Sequence, residues 1–150
     1  MFWGTEFYFQ KAKGVLSTTV GYIGGTTGNP KYKEVSTGQT GHAEATEVMY
    51  DPSVTSYGNM VKLFYETHDP GQMNRQGPDI GTQYRSGIFY MNDEQKAIAE
   101  DLTKQLKAKG HKVVTEITKA GPFYKAEEYH QDYYDKSGDN PYCHIYIKKF

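Results

Sequence analysis

Cysteine is almost missing from this sequence: Cys143 is the only one among 150 residues. One thiol cannot close a disulfide within the chain or build a cysteine-based zinc site. Net charge is nearly missing too, at a formal −1, so the basic excess of a general nucleic-acid binder is not there. No apolar run approaches the ~18 residues that a membrane span needs, and no membrane role is expected. The opening Met1-Phe2-Trp3-Gly4 has no signal-peptide pattern, and the expected compartment is a reducing cytoplasm. The five histidines, His42, His68, His111, His130 and His144, show no ligand spacing such as His-Glu-x-x-His, so no metal site is expected. Tryptophan is down to Trp3 alone.

Tyrosine, in contrast, is abundant, with 14 copies. A ring that is apolar in body and polar at its tip suits the lining of a cleft. Hydrophobic residues make up 37% of the chain, enough for a core, and the length fits one domain over residues 1–150.

Periodicity and punctuation give a coarse map. Residues 5–13 read as a short helix carrying Phe7 and Phe9, and 15–23 as a strand. A glycine-dense loop follows, from Gly21 through Pro30. Residues 46–50 read as a second strand, stopped by Asp51-Pro52. Met60, Val61, Phe64 and Tyr65 have the spacing of an amphipathic helix over 57–67. The polar, glycine-bearing stretch 71–81 reads as a long loop, the kind of segment that often carries function. A strand over 86–91, a helix from the Asn92 cap to about Lys109 with Gly110 beyond it, a strand over 113–117 and a short helix over 127–134 complete the map. The irregular alternation indicates an α+β fold, with helices packed on a mainly antiparallel sheet.

Four clusters hold more polar and aromatic groups than packing requires. They are Met1-Phe2-Trp3-Gly4; Tyr32 with Gly41-His42-Ala43-Glu44; Asp79-Ile80-Gly81-Thr82-Gln83-Tyr84-Arg85-Ser86; and Tyr129-His130-Gln131-Asp132-Tyr133 with Pro141-Tyr142-Cys143-His144. In this order they resemble the A-type peptide methionine sulfoxide reductases, which reduce the S epimer of methionine sulfoxide. Val20-Gly21-Tyr22, Gly24-Gly25, Asn29-Pro30, Thr40-Gly41 and Tyr50-Asp51-Pro52 also match. The family opens on Gly-Cys-Phe-Trp-Gly. Phe2-Trp3-Gly4 match that signature, and Met1 stands where the family has its nucleophilic cysteine or selenocysteine.

The resemblance implies a two-layer, ferredoxin-like α+β sandwich with a mixed, mainly antiparallel sheet. It also implies a strand leading into the Phe2-Trp3-Gly4 signature, so the chain is expected to be truncated at its N-terminus. The implied reaction is attack at the sulfoxide sulfur, protonation of the departing oxygen, and resolution by a second thiol. Glu44 then takes the general-acid role, since a carboxyl desolvated in an aromatic cleft holds its proton near neutral pH. Tyr32 and Tyr84 donate hydrogen bonds to the sulfoxide oxygen, and Asp79 is the loop carboxylate beside them. Phe2 and Trp3 seat the S-methyl group, as aromatic faces suit a polarisable sulfur. His130 supports the site. Cys143 resolves the oxidised nucleophile, and thioredoxin or a similar dithiol recycles it without a bound cofactor. A nucleophile ahead of a helix has its pKa lowered by the backbone N–H groups, but the Met1 thioether has no proton to lose. The chain as written is therefore expected to be inactive. The alternative is a non-catalytic domain that binds methionine sulfoxide.

Overall fold

The computed structural model describes residues 2–141 and 144–150. Helix α1 is Phe2–Gln10, three residues earlier than its periodicity indicates. Both Phe2 and Phe9 are buried in it, so packing supports a helical aromatic opening. Turn bonds from Lys11 and Ala12 back to Tyr8 and Phe9 close it. Strand β1, Val15–Ile23, matches its expected bounds.

A short helix α2, Tyr32–Val35, was not indicated by periodicity. Strand β2, Ala43–Tyr50, starts three residues before the expected 46 and so takes Glu44 into the sheet. It pairs antiparallel with β1, and Glu44 stands opposite Tyr22. Helix α3, Tyr57–Glu66, begins at the Ser56 cap, whose side chain accepts the Asn59 N–H.

The loop expected over 71–81 contains a small hairpin, β3 Arg75–Gln76 and β4 Asp79–Ile80. A single 3-10 turn, Thr82–Tyr84, follows. Strand β5, Gly87–Tyr90, leads to helix α4, Asp93–Ala108, capped by Asn92 as expected. Strand β6 is Glu116–Lys119, later than the expected 113–117. Val114 spends its N–H on Pro70, and Thr115 its hydroxyl on Ser86. Strand β7, Phe123–Lys125, is too short to show alternation; it pairs antiparallel with β1. Gly21 is required at that crossing, because a Cβ there would stand 2.4 Å from the Tyr124 carbonyl oxygen.

The helix expected over 127–134 is broken. A 3-10 turn, Glu128–His130, precedes helix α5, Tyr133–Ser137, and Asp132 between them has φ +56°. Gln131 gives its side chain to the main chain of Val20, and Asp132 its N–H to Glu6. A continuous helix cannot make both.

The strands form a three-stranded antiparallel group in the order β2-β1-β7, the β3-β4 hairpin and the parallel pair β5-β6. This is the mixed, mainly antiparallel α+β fold that the sequence indicates. One core cluster joins α3, α4 and β5 through Val61, Tyr65, Ile88 and Leu102. The other gathers Phe2, Val20, Tyr22, Val35 and Ala126. Between them lies a mainly apolar cavity of about 470 Å³. Both β2 and β5 line it, and each has one sheet neighbour among the described residues. No helix among the described residues is long and apolar enough to cross a membrane.

Candidate active site

The candidate site forms where α1, β2, α2 and the Thr82–Tyr84 turn converge. Glu44 on β2 accepts the Phe2 backbone N–H on Oε1 at 3.3 Å. Burial pushes its carboxyl up to about 7; the Phe2 N–H opposes this, and the nearby charge of Asp79 adds to it. A group balanced there can both hold and release a proton at neutral pH.

Tyr32 opens α2, and its N–H is held by Glu127 Oε2 at 3.1 Å. Tyr84 closes the 3-10 turn. Burial raises the pKa of both phenols, and the Glu44 charge raises them further, which puts both near Glu44. Tyr84 also hydrogen-bonds to Tyr32. Both therefore stay protonated and able to donate. Asp79 on β4 acts electrostatically on Glu44, Tyr32 and Tyr84 alike, so the four sit together as expected.

Phe2 and Trp3 enter from α1. Their rings lie 6.3 Å apart, and Phe2 packs on Tyr22 at 5.9 Å. The Trp3 ring stacks flat on Tyr133 at 3.9 Å, and its Nε1–H donates to His130 Nδ1 at 3.1 Å. Since Nδ1 accepts, the neutral His130 ring carries its hydrogen on Nε2. Burial lowers the His130 pKa, which keeps that neutral form. His130 is the hub: Phe2, Tyr32 and Tyr129 pack against it at 5.3, 4.5 and 4.1 Å.

Two expected residues, Met1 and Cys143, lie outside the described residues. The His144 ring packs on Gly4, where a Cβ would stand 2.3 Å from it. His144 Nδ1 lies 2.8 Å from the Thr67 carbonyl oxygen, and the His144 carbonyl accepts from the Tyr8 hydroxyl. Glycine in the Phe2-Trp3-Gly4 signature thus answers to a contact made 140 residues away.

Sequence reasoning missed several supports. Glu127 holds the Tyr22 hydroxyl as well as the Tyr32 N–H. Buried Glu6 accepts from Thr18 and from the Asp132 N–H. Arg85 ties the turn to the approach of β2, donating to Thr82 O and Gly41 O and pairing with Glu116 at 3.2 Å. Glu127 and Arg85 stand in or beside the quoted clusters, which was a signal; for Glu6, on a helix, there was none. Among the described residues no group of three histidine, cysteine or carboxylate side chains could hold a metal ion.

Comparisons with known proteins fit this geometry. The family profile described as peptide methionine sulfoxide reductase matches residues 1–150. A peptide methionine sulfoxide reductase MsrA of Sulfolobus acidocaldarius is 50% identical, over 99% of this chain and 88% of its own. The enzyme of that name from Pasteurella multocida is 49% identical, over 96% of this chain and 83% of its own. Reduced Mxr1 from Saccharomyces cerevisiae superposes with a TM-score of 0.91 at 36% identity, over 97% of this chain and 86% of that one. Mxr1 has also been solved in complex with Trx2; that structure gives 0.65 at 26% identity, over 97% and 82%. The chain belongs to the peptide methionine sulfoxide reductase family.

Proposed function

We propose that this fold reduces the S epimer of methionine sulfoxide, free or within proteins, once position 1 holds an ionisable sulfur or selenium. The carrying observation is Glu44: a carboxyl pushed up to about 7 by burial, beside two protonated phenols and the ring cluster. A thiolate at position 1 attacks the sulfoxide sulfur. Glu44 protonates the departing oxygen, and Tyr32 and Tyr84 donate to it as charge develops. Methionine leaves, and the nucleophile becomes a sulfenic acid. Cys143 attacks that sulfur and releases water, giving a disulfide that a thioredoxin-type dithiol reduces. The Mxr1–Trx2 complex supports that partner. Phe2 and Trp3 seat the methyl group, and burial holds the proton on Glu44 near neutral pH, with the Asp79 charge adding to it. The whole chain acts as one catalytic domain without a bound cofactor, in the cytoplasm.

Met1 itself is a thioether and cannot form the thiolate, so the chain as written binds methionine sulfoxide without reducing it.

The test uses Met1→Cys with purified epimers. Oxygen-directed donors on one side and rings on the other admit only one hand at sulfur. The S epimer is expected to be reduced and the R epimer left untouched. Comparable rates on both would overturn the pocket assignment.

A further inference from the structure

We infer that Tyr129 is a specificity-determining residue of this site: it contacts the side chain next to an oxidised methionine in a peptide, and it favours an apolar neighbour. The inference rests on the reading of the site given above.

Tyr129 differs from every other ring packed on His130. Phe2 is buried, and Trp3 and Tyr32 are partly buried. Tyr129 is 60% exposed. An exposed tyrosine is ordinarily free to rotate, but this one is held at three points. Its ring lies 4.1 Å from that of His130. Its hydroxyl donates to Glu127 Oε2 at 3.4 Å. Its backbone sits in the 3-10 turn Glu128–His130. Glu127 also carries the Tyr32 N–H on the same oxygen, so the exposed ring is fixed to the group that positions a phenol of the site. The Tyr129 phenol is near enough to Tyr32 for their charges to interact.

A ring fixed before binding loses little entropy when a ligand covers it, and tyrosine offers a large contact area for that small loss. What it can cover follows from where it stands. On the reading above, the buried and half-buried rings hold the reacting side chain, while Tyr129 is the ring of the His130 cluster left open to an approaching peptide. A free methionine sulfoxide has nothing to place there. A residue flanking methionine sulfoxide in a peptide does, and an apolar or aromatic side chain gains most from the exposed ring face.

The experiment uses the full chain as it stands, with the emission of Trp3, its only tryptophan, as the probe. Three ligands are titrated: free S-methionine sulfoxide, a blocked peptide with the sulfoxide between glycines, and one with it between leucines. The leucine-flanked peptide is expected to bind more tightly than the glycine-flanked one by roughly two- to tenfold, the range of one aromatic contact. Tyr129→Ala is expected to abolish that difference and leave the free amino acid unchanged, while Tyr129→Phe keeps the difference. The inference is overturned if the native chain shows no difference, if the difference survives Tyr129→Ala, or if all three ligands weaken equally. If none of the three binds the native chain, the reading of the site fails, and the inference with it.

Discussion

The two flanks of the site are built differently. On the flank of α1, β1 and segment 126–132, single polar side chains cross-link elements far apart in sequence. Glu6 takes the Asp132 N–H, Gln10 donates to the Asp132 carboxylate, and the Gln131 amide replaces a strand partner along Val20. Trp3 and Glu127 add their bonds to His130 and Tyr32. On the flank of β2 and β5, each strand has one sheet neighbour among the described residues and lines a mainly apolar cavity, and Arg85 bonds both Gly41 and Glu116. One flank fixes geometry with directional bonds. The other has room beside its side chains.

The largest break lies where the two flanks meet. Glu44 accepts a bond from the cross-linked side and lines the cavity on the other. In a Met1→Cys background, Glu44→Gln is expected to cut turnover by roughly 10²–10⁴-fold, the usual worth of a positioned acid. The pH profile carries the same signature. Glu44 acts while protonated and its pKa is raised to about 7, so the rate should fall about tenfold per pH unit above that value. The variant should lose that limb. Steady-state rates from pH 5.5 to 9 on both proteins read it, and near-normal turnover of Glu44→Gln at pH 7 would remove Glu44 from the mechanism.

A smaller contrast compares the flanks directly by thermal or denaturant unfolding. Glu6→Ala orphans the part-buried Asp132 N–H and is expected to cost about 1–3 kcal/mol. Ala45→Val on β2 adds a β-branched group to a residue lining the cavity and is expected to stay within about 0.5 kcal/mol of the parent, or to gain slightly. Equal losses for the two would erase the distinction.

The same distinction marks what could be read from sequence. The clusters that gather at the candidate site were legible because they are local: Gly41-His42-Ala43-Glu44 and Gly81-Thr82-Gln83-Tyr84-Arg85-Ser86 each carry their residues in one short run. So were β1, α3 and α4, whose periodicity and caps are strong. The cross-links were not. Nothing near Glu6 says that its partner lies 126 residues on, and a lone glutamate on a helix ordinarily faces water. The same bonds explain the element that failed, because Gln131 and Asp132 give up helical bonding to reach β1 and α1. The early start of α1 was hidden for a related reason: the helical state of Phe2 goes with burial against Tyr22 and His130, which local periodicity does not carry.

If the proposed site lacks only an ionisable sulfur or selenium at position 1, supplying one should create turnover. Single-turnover reduction of S-methionine sulfoxide measures this on three proteins: the unmodified chain, Met1→Cys, and Met1→Cys preceded by several added residues that move the free α-amino group away from position 1. The expected outcomes are no methionine formed, partial conversion and full conversion, in that order. Methionine production by the unmodified chain, or none from either cysteine variant while both remain folded, would rule out a nucleophile at position 1.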